Sequence, residues 1–192
     1  MERSAKFASL AVLIGCIAIA LWMVACAGEP EKAKRSDTEK KVSLRPSIPA
    51  GKVVNLSPYA KATTNSEFQG PGSFSRHYVA EEGPGEWATE GPAKNIGAWI
   101  QLTWDSPVSV NCVELEDRPS LLERIMAGHL VFSDGGTTVP VQSLPDDGSP
   151  LEVVLEPRKV TWIRFVIDDV TSVTTCAGLR KFRVFGEKAA TP

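Results

Sequence analysis

Histidine is nearly missing from this chain: His77 and His129 are the only two among 192 residues. They lie far apart and neither sits in a metal-ligand motif, so a histidine-built metal centre is not expected. No Gly-x-Ser-x-Gly step occurs, which removes the strained turn that presents a serine nucleophile. Charge of one sign is lacking too. The formal net charge is -2, with no clustered basic face of the kind that nucleic acid requires. After Lys52 no apolar period of 3.6 lasts three turns; Leu121–Met126 has room for one helical turn at most.

Cysteine is scarce as well. Beyond the N-terminal segment only Cys112 and Cys176 remain, and neither has a second Cys or His at metal-ligand spacing. In an oxidising compartment two such thiols either pair or stay separately buried, and both readings stand. A bridge across so long a loop would contribute on the order of 4 kcal/mol in the chain-entropy model.

Hydrophobic residues make up 43% of the chain, and one long run of them opens it. Arg3 and Lys6 precede an uncharged stretch from Phe7 to Ala27, the layout of an export signal. At roughly 20 residues the stretch would also span a bilayer if left uncut. Met23-Val24-Ala25-Cys26 resembles a bacterial lipobox, with Cys26 as the acylated residue; Leu13-Ile14-Gly15-Cys16 matches the letters but would leave ten apolar residues behind. Residues 1–26 are therefore expected to be a lipoprotein signal peptide or an anchor helix. Residues 27–52, charged and proline-bearing, are expected to be a disordered linker. Either reading puts the following domain outside the cytoplasm, in the cell envelope.

From Val53 the pattern has period two, punctuated by Gly, Pro, Asp and Asn. Ile100, Leu102 and Trp104 alternate with polar residues; Val108, Val110, Val113 and Leu115 follow. Leu130 and Phe132 run into Ser133-Asp134-Gly135-Gly136, with Val139 and Val141 beyond, which reads as a hairpin. Val153–Leu155, Trp162–Ile167 and Leu179–Gly186 complete about eight or nine short strands. The expectation is an all-β antiparallel sandwich over residues 53–187, with 188–192 as a tail. Strand positions assign Trp99, Trp104 and Trp162 to the core.

Between Asn65 and Ala98 lies a long Gly/Pro-rich segment that carries Phe68, Phe74, His77, Tyr78 and Trp87. Aromatics in such a loop point to ordered packing or binding. Sugars are held by an apolar wall plus a few placed polar groups. Arg76, His77, Tyr78 and Trp87 have that chemistry within one segment and are the expected ligand-binding residues.

The order of signals, from Ala60–Thr64 through Glu86-Trp87, Trp99–Trp104, Leu115-Glu116-Asp117-Arg118-Pro119, Gly128–Gly135 and Val160–Phe165 to Ala177–Arg180, resembles the galactose-binding-like, or discoidin (coagulation-factor C-type), superfamily. It is most similar to a bacterial branch often found beside sugar deacetylases and glycosidases. The resemblance implies an eight-stranded jelly roll that binds glycans, lipid head groups or proteins through loops at one end. It implies a structural calcium in many members. Here the matching stretch is Ala80-Glu81-Glu82-Gly83, with Glu for Asp and Pro84 following, so no cofactor is expected and calcium stays an open option.

Asp117, Glu123 and His129 invite a catalytic reading, but nothing fixes the carboxylate separation a glycosidase needs. Asp117 and Arg118 read instead as loop braces: an arginine after a strand can fork onto a carboxylate or onto loop carbonyls, and Pro119 fixes the exit. The sequence therefore points to a non-catalytic, envelope-anchored binding module. Its expected partner is a glycan. The alternative is a protein-interaction or structural module that docks an envelope protein.

Overall fold

The computed structural model describes residues 54–72 and 74–188. The expected signal peptide, Cys26, the linker and most of the C-terminal tail lie outside the described residues. Among the described residues eight strands, all paired antiparallel, run in the order β1 (Val54–Asn55), β2 (Lys61–Thr64), β3 (Trp87–Ala88), β4 (Trp99–Asp117), β5 (Ile125–Phe132), β6 (Val139–Val141), β7 (Leu151–Val170) and β8 (Gly178–Lys188). Only 3-10 turns, and no α-helix, occur among the described residues.

Two strands are far longer than their sequence suggests. The runs around Leu102, Val110 and Val113 belong to one 19-residue β4, and those around Val153 and Ile163 to one 20-residue β7. The β4–β7 ladder shifts register between Thr103 and Val108 and again between Val110 and Cys112. Pro107 falls in the first break and Pro157 faces the second, where a missing N–H costs the ladder nothing. The chain uses these prolines as bends inside its two longest strands.

The breaks divide the ladder into two layers. On one side β2, the first part of β4, the last part of β7, β5 and β6 pair in turn. On the other, β8 pairs with the second part of β4, which also pairs with the first part of β7. Strands β1 and β3 add to opposite ends of β8: Val54 opposes Gly186 and Ala88 opposes Gly178. Alternation then aims Ile100, Leu102, Ile163, Phe165 and Leu130 from one layer, and Val113, Leu115, Phe182 and Val184 from the other, into one core. Each such side chain, once fully buried, contributes about 1.5–3 kcal/mol.

The hairpin β5–β6 forms as expected, with Leu130 opposite Val139 and Gly128 opposite Val141. Gly135 holds the turn at φ 70°, a left-handed conformation that suits glycine. Asp134 is clamped by Arg158, whose guanidinium also lies over Phe132. Leu121–Met126 makes no helical turn; the Ser120 hydroxyl accepts the N–H groups of Leu122 and Glu123 instead.

The tryptophans divide against expectation. Trp104 is core, with its indole N–H donated to the Leu56 carbonyl at 2.9 Å. Trp99 and Trp162 are half-buried on the outer face of the first layer, where Arg164 spreads over both rings and donates to Gln101. Period two permits either face, and the register chose the outer one.

Candidate functional site

The end of the sandwich at Gly178, away from Val54, gathers the long segment 65–98, the β4–β5 loop and the β7–β8 loop. Asp117 closes β4 there. Its carboxylate accepts the N–H of Arg118 at 2.9 Å, the N–H of Ile125 at 3.2 Å and Arg124 Nε at 3.4 Å, so the loop between them is pinned at both ends. Asp117 is only 2% exposed. Burial, outweighing these bonds, pushes its carboxyl up to about 6.

Arg118 reaches sideways from this loop. It donates one Nη to the Cys176 carbonyl and the other to Glu86 Oε1 at 3.0 Å. Its guanidinium carbon also sits 5.3 Å from the Phe74 ring centroid. Glu123 binds the opposite loop, taking the N–H groups of Thr175 and Cys176 at 2.8 Å each and the Thr175 hydroxyl. Two atoms of the Arg118–Glu86 pair, Nε and Oε2, are buried without a hydrogen-bond partner among the described residues.

Residues 65–72 and Phe74 fold over this base. Phe68 N–H donates to the Ala88 carbonyl at 2.8 Å, and Ser75 N–H to the Glu86 carbonyl at 2.8 Å. The Phe68 and Phe74 rings meet edge to face, with centroids 5.2 Å apart. Between loop and base lies a cleft of about 210 Å³, lined by Phe68, Pro71, Phe74, Ala88, Arg118, Glu123 and Cys176.

None of the four expected ligand-binding residues lines that cleft. Trp87 is a correction: it is 0% exposed, with its indole N–H donated to the Ser66 carbonyl at 2.8 Å, so no ligand can stack on it. Tyr78 is half-buried, and its ring covers the Cα of Gly85 so closely that a Cβ there would stand 2.2 Å from it. Arg76 forks onto Glu67 through its backbone N–H and its guanidinium. His77 is exposed on the 3-10 turn Arg76–Val79. These residues pack the segment down rather than share one open face.

Of the two readings left open for Cys112 and Cys176, the structure has the unpaired one: both are free, Cys112 buried and Cys176 half-buried. Cys112 pairs with Phe185, six positions along β8 from Leu179, while Cys176 lies beyond Leu179 at the cleft end. That places them roughly 20 Å apart along the strand, against the roughly 4.4–6.8 Å between Cα atoms that a bridge needs. Burial, with Glu152 and Glu114 nearby, pushes the Cys112 thiol up to about 12.

No group of three or more His, Cys, Asp or Glu residues that could hold a metal occurs among the described residues. Glu82 is forked onto Arg183 at 2.8 and 3.1 Å, which keeps its carboxyl below the usual range. His129 lies on a strand face against Asp168, 2.7 Å away, and takes no part in the cleft.

Asn95 has no signal in the sequence. It is buried, and one side chain joins three segments: its oxygen accepts from Ala177 N–H and the Thr89 hydroxyl, and its amide donates to the Thr174 and Thr175 carbonyls. Only the fold brings positions 89, 95 and 174–177 together. Phe68 and Phe74 were visible as loop aromatics, but period and composition rank them no higher than Tyr78 and Trp87.

Two packed antiparallel layers with loops clustered at one end make a β-sandwich, and solved carbohydrate-binding modules and a lectin share that fold. The chain is similar to a family 32 carbohydrate-binding module of Clostridium perfringens in complex with GalNAc-β-1,3-galactose, at 18% identity and TM-score 0.57, covering 68% of this chain and 99% of that one. A chitosan-binding module from a Paenibacillus chitosanase/glucanase matches at 19% identity and TM-score 0.54, covering 69% and 99%. A fucolectin from striped bass serum matches at 17% identity and TM-score 0.58, covering 70% of this chain and 48% of that one. No curated protein matches the chain by sequence. The chain belongs to the family described as Domain of unknown function (DUF7402), matched over residues 55–185.

Proposed function

We propose that this domain binds the end of a glycan, without catalysis, in the cleft between Phe68, Phe74 and Arg118. The cleft itself carries the reading: an apolar wall of Phe68, Pro71 and Phe74 stands over Arg118 and Glu123, the combination that suits a sugar's C–H face and its hydroxyls. Arg118 has five N–H groups, of which Cys176 and Glu86 engage two. Glu123 has about four lone-pair positions, of which Thr175 and Cys176 take three. Donor and acceptor capacity thus remains on both. Similarity in fold to carbohydrate-binding modules and a fucolectin supports the same reading. So does the state of the acidic groups, since Asp117 is enclosed and engaged and neither histidine lines the cleft. In this reading the protein is held at the bacterial cell envelope by acylation of Cys26, on a spacer formed by residues 27–52.

A second reading has its own observation. Leu121, Leu122 and Val173 are 85%, 61% and 58% exposed on the β4–β5 and β7–β8 loops, which touch where the hydroxyls of Thr171 and Thr174 donate to the Leu122 carbonyl. An apolar tip of this kind suits a protein partner in the envelope. A glycan array with the full-length protein separates the two. Saccharide binding that Arg118→Lys weakens at least tenfold supports the first, whereas a silent array, with one envelope protein captured by crosslinking and lost on Leu121→Ser with Leu122→Ser, supports the second.

A further inference from the structure

The cleft is built mostly of carbon, and the capacity left on its polar groups, Arg118 and Glu123, is confined to its base. Phe68, Pro71, Phe74 and Ala88 supply the apolar lining, joined by Cys176. Both Arg118 Nη atoms and both Glu123 oxygens hold bonds to neighbouring loops. The unpartnered Arg118 Nε and Glu86 Oε2 lie below the surface. A hydroxyl turned toward this wall would be left without a partner, which is costly. A sugar in which one position carries a methyl-bearing group, an acetamido or a 6-deoxy carbon, sets carbon against carbon there.

Size points the same way. At about 210 Å³ the cleft is smaller than the roughly 300–1,000 Å³ of pockets that enclose whole ligands. It takes one end group and one substituent rather than a length of chain.

We infer that the cleft selects saccharides whose terminal residue carries a methyl-bearing substituent, seated against Phe68, Phe74 and Ala88. This rests on the glycan reading above and narrows it. The group is recognised by apolar contact, while Arg118 and Glu123 orient the ring through neighbouring hydroxyls. Phe68 and Phe74 become the specificity elements, and their edge-to-face pair sets the width of the cleft.

The test is calorimetric titration of the full-length protein with matched sugars: N-acetylgalactosamine against galactose, N-acetylglucosamine against glucose, and L-fucose against L-galactose. In at least one pair the methyl-bearing member should bind at least about fourfold tighter, the worth of one buried methylene-sized group. Phe74→Ala should bring that ratio within twofold. Cys176→Leu, which fills the cleft without removing the backbone bonds of residue 176, should do the same and covers the case in which Phe74→Ala disturbs the loop. Equal affinity within every pair overturns the selection and leaves glycan binding standing. A ratio that survives in both folded variants overturns its location. Silence toward all six sugars and across a glycan array overturns the selection together with the glycan reading beneath it.

Discussion

Two halves of one loop carry the same kinds of residue and do different work. Residues 65–74 present Phe68 and Phe74 along an open cleft, while residues 76–87 turn Tyr78 and Trp87 inward. The difference lies in what waits beneath each aromatic. Trp87 sits on β3, which pairs with β8, so its side chain enters the core and its indole N–H finds the Ser66 carbonyl. Tyr78 lies on a turn held down by Lys181, whose ammonium donates to the Tyr78 carbonyl at 2.9 Å, and its ring closes over Gly85. Phe68 and Phe74 have mainly each other, Pro71 and the Arg118 guanidinium. An aromatic residue is free for a ligand when neither the core nor a neighbouring turn closes over its ring.

The largest test of that contrast is Trp87→Ala. It should lower unfolding free energy by about 4 kcal/mol in denaturant titration, the usual cost of removing a buried aromatic. A loss under about 1 kcal/mol would put Trp87 with the cleft residues.

Acid should act on the cleft side, through Asp117. Its carboxyl sits at about 6 in the folded protein against an ordinary 3.8, so between those values the folded state holds a proton that the unfolded state lacks. This group therefore adds stability as pH falls from about 7 to below 4, on the order of 3 kcal/mol for two pKa units. Asp117→Asn should flatten that part of the stability–pH curve. An unchanged slope would mean that Asp117 does not titrate there.

Asn95→Ala should cost about 2–3 kcal/mol, because the buried N–H of Ala177 loses its acceptor. Hydrogen exchange should rise at residues 174–177 before it rises in β4. Uniform exchange across both would deny Asn95 its role as a clasp. Phe74→Ala should have the smallest effect on stability, about 1 kcal/mol or less as for other partly exposed positions, while weakening saccharide binding at least tenfold. A large loss of stability with binding retained would reverse the comparison between the two halves of the loop.

Much of the fold was legible from alternation. Ile100, Leu102, Leu130, Ile163, Phe165 and Phe182 are core residues, and the Ser133–Gly136 hairpin lies where Val139 and Val141 indicate. What alternation does not fix is continuity and face. The short runs read as separate strands join into β4 and β7, with Pro107 and Pro157 inside them, because bulges remove the need for their N–H groups. Trp99 and Trp162 read as core, yet the register turned them outward under Arg164. The site was less legible still. Asp117-Arg118-Pro119 stood out in sequence, but its partners Glu86 and Cys176 are 32 and 58 residues from Arg118. No local pattern reports such closures, so the aromatic segment could be found while its open half could not.

The most direct test is to map backbone amide shifts while titrating a saccharide that the glycan array selects. The account predicts that shifts concentrate at Phe68, Phe74, Ala88, Arg118, Glu123 and Cys176, with His77, Tyr78 and the Trp99–Arg164–Trp162 face unmoved. Shifts centred on that outer face, or on Arg76–Tyr78, with the cleft silent, would contradict it.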